Sequence, residues 1–311
     1  MILKKFIFIY LGLLLAMLCW ALTFIWYKQA YPVVSPISLV TLRLLIAVVL
    51  LFIIVKVSKR LDVISKKDIP GFLLLAFFEP LVYFLGESYG LKYISSTLAS
   101  LMVATIPLIT PFAAYYIFKE KLSPGNYLGI IISVIGIALI IQTGQGNFVS
   151  TPLGVSLMLM AVFSTIGFSV YVKKLSPKYN TLTIVFYQNF IGLLFFIPLF
   201  ILVDKSSLLK TNVPFSNILP VIYLAVFGSI VAFVLFINSI RYIGIARANV
   251  FTNLIPVFTA ILSYFILHEQ FNGKKIAGII VVMAGLFLSQ ARNIFKYFKK
   301  NSYANNTSTA G

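Results

Sequence analysis

Glu79, Tyr83 and Glu87 recur at intervals of one helical turn within FLLLAFFEPLVYFLGESYGL, the stretch from Phe72 to Leu91. Residues spaced in this way line one slowly drifting face of a helix. The stretch is apolar and about twenty residues long, enough to cross a bilayer, yet it holds two of the seven acidic residues of the chain. A charged side chain at the centre of a bilayer costs at least ~2.5 kcal/mol on insertion scales. Glu79 lies about 18 Å from Leu91 at 1.5 Å per residue, near the middle of a ~30 Å hydrocarbon core. Pro80 follows it directly, removes a helix hydrogen bond and invites a break. An ionisable group at that depth beside a helix break suits a proton or cation site. The alternative is a structural carboxyl, kept protonated or hydrogen-bonded to a neighbouring helix.

Other polar groups fall at comparable depths. Glu87 is about 6 Å from the end of its stretch, and Arg43 about 10 Å from the end of the preceding apolar run. A pair between them would satisfy both charges; contact with a substrate is the competing role, and a gate combines the two. Gln188 and Asn253 are candidates for substrate recognition, although side-chain amides also hold membrane helices together without any ligand. Asn249 and Asn238 have the character of packing groups. Trp20, Tyr83 and Tyr187 are candidate walls of a cavity, against the commoner roles of aromatic residues in packing and at membrane interfaces.

The elements that position these groups follow from composition. Of 311 residues 60% are hydrophobic and 10% charged, with a mean hydropathy of +1.02. Soluble domains are about 25% charged, so the chain is expected to be an all-α integral membrane protein. The net charge of +18 does not indicate nucleic acid, because the basic residues sit in short loops and form no continuous face. The single cysteine, Cys19, excludes internal disulfides and a cysteine metal cluster. Lys4 and Lys5 before an apolar run resemble a signal peptide, but the run is too long and lacks a cleavage site, so it is expected to be the first span.

Ten apolar segments predict ten helices, at roughly 6–27, 36–56, 70–91, 95–117, 125–142, 153–173, 181–203, 217–240, 247–267 and 274–291. Runs of this length without period-two alternation exclude a barrel. Most of the 25 Lys and Arg fall in loops on the side of the N-terminus, which predicts a multi-pass plasma (inner) membrane protein with both termini cytoplasmic. Residues 292–311 read as a basic, then disordered, cytoplasmic tail.

The chain also repeats itself. Lys92–Gly136 aligns without a gap on Arg241–Gly285, matching Tyr93 with Tyr242, Ala99 with Ala248, Pro107 with Pro256, Thr110 with Thr259, Tyr115 with Tyr264, Glu120 with Glu269, Gly129 with Gly278 and Gly136 with Gly285. The repeats, 6–142 and 153–291, each hold an odd number of spans, so the second is inverted relative to the first. Inverted repeats are a transporter signature, with the substrate site near the midplane between the halves. Glu120 and Glu269 read as structural groups at helix ends, Pro107 and Pro256 as mid-span kinks, and the paired glycines as a close-packing or homodimer face.

The motifs TIPLITPFAAYYIFKEKLSPGNYLGIIISVIG, NLIPVFTAILSYFILHEQFNGKKIAGIIVVMAG and LRLLIA resemble the drug/metabolite transporter superfamily, EamA type, over nearly the whole chain. The resemblance implies a ten-helix secondary transporter of small organic metabolites such as amino acids or drug-like compounds. It also implies a cavity lined by spans 1–4 and 6–9, with spans 5 and 10 peripheral. With no nucleotide-binding motif, the driving force is expected to be a gradient. The expectation is an exporter working by alternating access, with protons as the candidate coupling ion; a facilitator without ion coupling is the alternative. A membrane enzyme is remote, since His268 is the single histidine and no spacing supports metal binding. No cofactor is expected.

Overall fold

A computed structural model describes residues 2–109, 124–141, 151–204 and 215–288, and among them all regular structure is helical. Apolar runs of this length become helices because hydrocarbon offers no partner to a backbone N–H or C=O. The helices are α1 (Ile2–Ala30), α2 (Pro36–Val57), α3 (Ile69–Ala76), α4 (Tyr83–Tyr93), α5 (Ser96–Val103), α6 (Pro124–Ile141), α7 (Pro152–Leu175), α8 (Thr181–Val203), α9 (Phe215–Tyr223), α10 (Ala232–Ile243), α11 (Ile245–Val250), α12 (Leu254–Ile266) and α13 (273–288). Side-chain caps start several of them. Asn180 accepts from Thr183 N at 3.0 Å at the head of α8, and Ser95 from Leu98 N at 3.2 Å at the head of α5.

Seven helical runs are long and apolar enough to cross a membrane: Ile7–Ala30, Pro36–Val57, Lys66–Tyr93, Pro152–Leu175, Thr181–Val203, Ile218–Ile243 and Ala248–Ile266. Shorter apolar helices cover Ser96–Ile109 and Tyr127–Ile141. The expected spans at 95–117, 125–142 and 274–291 reach into residues outside the described ones. Thr110, Tyr115, Glu120 and the tail 292–311 also lie outside them. Two of the long runs change their winding midway. A wide, π-type segment, Phe77–Val82, joins α3 to α4, and a second, Leu224–Val231, joins α9 to α10. In the run Ala248–Ile266 a short 3-10 turn, Phe251–Asn253, precedes α12. Pro256 therefore stands in the first turn of a helix, where its missing N–H leaves no bond unmade. It still lies near the middle of the run Ala248–Ile266, the position expected for it, with the change of winding just before it.

The chain divides into two compact units. In the first, Met1–Ile106 with Gly144–Gln270, α4 packs along α7, α2 along α8, and α1 against α10 and α12. In the second, Pro107–Thr143 with Phe271–Gly311, α6 and α13 approach closely. A Cβ added to Gly136 would lie 2.7 Å from the Val282 nitrogen, and one on Gly278 2.9 Å from the Gly136 oxygen. The glycines thus make the close helix contact their recurrence predicts.

The α2–α8 pair is joined at both of its ends. At one, the Asp204 carboxylate beyond α8 accepts from Ser38 N at 3.0 Å, from Ser38 Oγ at 2.6 Å and from Ser35 Oγ, closing the N-terminus of α2. At the other, the Asp62 carboxylate beyond α2 accepts from Asn180 N at 2.6 Å at the start of α8, and Asp62 N donates to Thr183 Oγ1 at 2.9 Å. Each helix therefore carries past its C-terminus an acid that accepts from a backbone amide at the other's start. The second junction is extended by Asp68, which accepts from Lys178 Nζ at 2.6 Å and from Tyr179 OH at 2.8 Å. The hydrogen bond to Asp68 raises the pKa of Lys178 above that of an ordinary lysine.

Candidate functional site

The site begins at the first wide-turn segment. Glu79 has an extended backbone (φ −148°, ψ 112°) in the middle of a helical run, and Pro80 has no N–H to donate, so the helix opens here. The Glu79–Pro80 peptide bond is cis. The Pro80 ring packs into the space left by Gly192 of α8, where any Cβ would overlap it. The helix resumes at Tyr83, and α4 carries Tyr83 and Glu87 one turn apart, on the face that Glu79 leads into.

Trp20, Arg43, Glu79, Tyr83 and Glu87 all line one cavity of about 70 Å3 in the first unit. Arg43 is 2% exposed, Glu87 4% and Glu79 6%. The Arg43 and Glu87 side chains stand 3.8 Å apart, the pair that their depths predict. Arg43 is held on every side. Its Nε donates to Ser229 Oγ at 2.6 Å, its Nη1 to Tyr27 OH at 2.9 Å, and its guanidinium lies 4.1 Å from the centre of the Phe84 ring. Gly228 makes room for it, since a Cβ there would meet Arg43 Nη2 at 3.1 Å and Thr23 Cγ2 at 2.7 Å. Tyr83 OH donates to Glu87 Oε1 at 3.3 Å. Buried charges are tolerable when paired and hydrogen-bonded in this way.

Glu79 has no such company. Among the described residues it accepts no hydrogen bond, and the nearby cation, Arg43, is already paired with Glu87. Its carboxylate faces a cavity with an aromatic wall, in which Trp20 meets Phe233 and Phe236 edge-on at 5.3 and 4.9 Å, and Phe168 meets Phe233 at 6.1 Å. The arrangement can exchange a proton or hold a small cation. No metal cluster of three or more His, Cys, Asp or Glu exists among the described residues.

Gln188 and Asn253 are not part of this lining. Gln188 is buried on α8 with its Oε1 unpartnered among the described residues, and Asn253 is buried with neither polar side-chain atom partnered. Tyr187 packs against Phe72 and Phe186 instead of facing the cavity. Glu269 accepts from Ser96 N at 2.9 Å and Thr97 Oγ1 at 2.6 Å, a structural cap on α5. The cavity also takes in Asn249, read from the sequence as a packing group, and Thr252, Phe168, Phe233 and Phe236, which sequence reasoning did not single out. Continuing the gapless repeat register toward the N-terminus pairs Phe84 with Phe233 and Glu87 with Phe236. That register is the signal by which the two phenylalanines are found.

The profile of the EamA-like transporter family matches residues 7–142 and again 152–290. The uncharacterised transporter YetK of Bacillus subtilis (strain 168) is 30% identical over 255 residues, covering 80% of this chain and 76% of that protein. An uncharacterised transporter of Archaeoglobus fulgidus is 26% identical over 269 residues, covering 86% of this chain and 94% of its own. A protein of known crystal structure superposes with a TM-score of 0.62 over 90% of this chain and 96% of its own, at 17% identity, a likeness of fold alone.

Proposed function

Since the chain belongs to the EamA-like transporter family, we propose that it is a secondary transporter that exports a small organic molecule across the plasma membrane by alternating access, with proton coupling at Glu79. The observation that carries this reading is the Glu79 carboxylate: buried, without a partner among the described residues, and set at the break of a membrane span.

The cavity supports the alternating part of the reading. At about 70 Å3 it has room for a few waters, whereas sites that enclose a metabolite-sized ligand measure roughly 300–1,000 Å3. A substrate enters only if the helices around it move apart. The wide turn at Glu79 is where the third span can bend. Protonated and ionised Glu79 would favour different arrangements of these helices, and a ligand moves such an equilibrium only by its difference in affinity for the two states. The full architecture in this proposal is ten spans in two inverted halves, 6–142 and 153–291, with both termini cytoplasmic, as the distribution of Lys and Arg favours. The relatives point to transport and not to catalysis.

Reconstitution tests the reading. Amino acids, sugars and organic amines are screened for flux in proteoliposomes, with and without an imposed pH gradient. The expected result is a solute whose flux the gradient accelerates, with the acceleration absent in Glu79→Gln. Undiminished acceleration in that variant removes Glu79 as the coupling site. Flux in the wild-type protein that ignores the gradient makes it a facilitator.

A further inference from the structure

We propose that the cavity receives a monovalent organic cation, an amine carrying an aromatic or apolar body, whose ammonium group sits on Glu79 against the ring wall. The proposal rests on the transport reading and names the class of its substrate.

The charges that face the cavity decide the class. Among the described residues they are Arg43 from α2 and Glu79 and Glu87 from the third span. The other elements in the lining, α1, α5, α7, α10 and the residues from Asn249 to Ile255, bring aromatic, aliphatic, hydroxyl and amide groups without charge. Arg43 and Glu87 neutralise one another at 3.8 Å. Among the described residues that leaves one carboxyl in the lining, Glu79, without a counter-charge.

An anionic substrate would meet that carboxyl unshielded. A zwitterion such as an amino acid would need a cation for its own carboxylate, and the cation in the lining is spent on Ser229, Tyr27 and Glu87 and stacked on Phe84. A neutral solute offers the ionised form of Glu79 no counter-charge. A monocation leaves the cavity neutral. The wall suits it as well, because Trp20, Phe168, Phe233 and Phe236 offer ring faces and edges to an aromatic body, and ring faces attract an ammonium group.

Trp20 can report on this directly. The chain has two tryptophans, and Trp26 lies outside the lining, against Tyr223 and Phe227. Trp26→Phe therefore leaves Trp20 as the only indole. In that background the purified protein is titrated near neutral pH with four probes of similar shape: 2-phenylethylamine, 2-phenylethanol, 3-phenylpropionate and L-phenylalanine. The expected result is saturable quenching of Trp20 by the amine, with the other three weaker by roughly tenfold or more. Adding Glu79→Gln weakens the amine by about thirtyfold, the low end for removing one partner of a buried charge pair. Glu79→Asp, which keeps the charge, retains binding within a few-fold. Equal or tighter binding of the neutral, anionic or zwitterionic probe overturns the proposal. So does an amine titration that leaves Trp20 unchanged, or an amine affinity indifferent to Glu79→Gln. The four-probe comparison stands even if that variant fails to fold. Flux of the same probes in proteoliposomes separates the two readings. An amine that binds and does not cross removes transport and leaves the site, whereas flux of phenylalanine without amine binding removes the class and leaves transport.

Discussion

The two wide-turn segments, Phe77–Val82 and Leu224–Val231, hold equivalent places in the sequence repeat and do opposite work. In the gapless register Glu79 pairs with Gly228 and Pro80 with Ser229. The first segment is opened by a proline and presents a carboxylate with no partner among the described residues. The second contains no proline. It supplies a hydroxyl to Arg43 Nε at 2.6 Å and, in Gly228, the space that lets the guanidinium lie down. One irregularity exposes a charge and its counterpart consumes one. A widened turn in a membrane helix is therefore not a function in itself; the side chains set on it decide whether a charge is offered or buried.

This contrast is broken most severely at Arg43. Arg43→Leu leaves Glu87 buried without its cation and is expected to cost about 3–5 kcal/mol, read as a fall in the thermal unfolding midpoint of the purified protein. Reversing both charges together, Arg43→Glu with Glu87→Arg, should recover part of what either reversal alone loses. If the double variant is no better than the singles, the pair is not coupled. Ser229→Ala comes next, at about 1.5–3 kcal/mol for a lost hydrogen bond to a charged group, measured in the same way. Gly228→Ala crowds Thr23 and Arg43 and should cost about 1–3 kcal/mol through overpacking. An unfolding midpoint unchanged by that methyl group would mean Arg43 has room to move. The smallest effect belongs to the other segment. Glu79→Gln gives up no partner and removes a buried carboxyl that has no counter-charge, so its midpoint should hold or rise, while gradient-driven flux is lost. A large destabilisation there would make Glu79 a structural carboxyl after all.

Much of this was legible in the sequence where cost was legible. A carboxylate in an apolar run announces itself, and so does a proline beside it; depth along the helix was enough to bring Arg43 and Glu87 together. The lining beyond them was not, because a phenylalanine that faces a cavity and one that faces lipid are the same residue in the same run. Phe168, Phe233 and Phe236 have no mark of their own. Gln188 and Asn253 show the converse, since polar groups of suitable type and depth can lie outside the lining, and rotation about a helix axis is set by neighbours that spacing alone does not reveal. The second wide turn was hidden for a similar reason. Leu224–Val231 contains no proline, and only its register with Phe77–Val82 marks it.

The junctions at the two ends of the α2–α8 pair have a consequence for how the protein is made. Ser35 and Ser38, near the beginning of the chain, receive their carboxylate from Asp204, far along it. The head of α2 is thus synthesised long before the carboxylate that completes it. Asp62, by contrast, is already in place when Asn180 is synthesised. The earlier half is consequently not a finished object awaiting a copy of itself. Its second helix is completed by the later half, and a chain stopped before Asp204 would leave Ser35 and Ser38 without their acid.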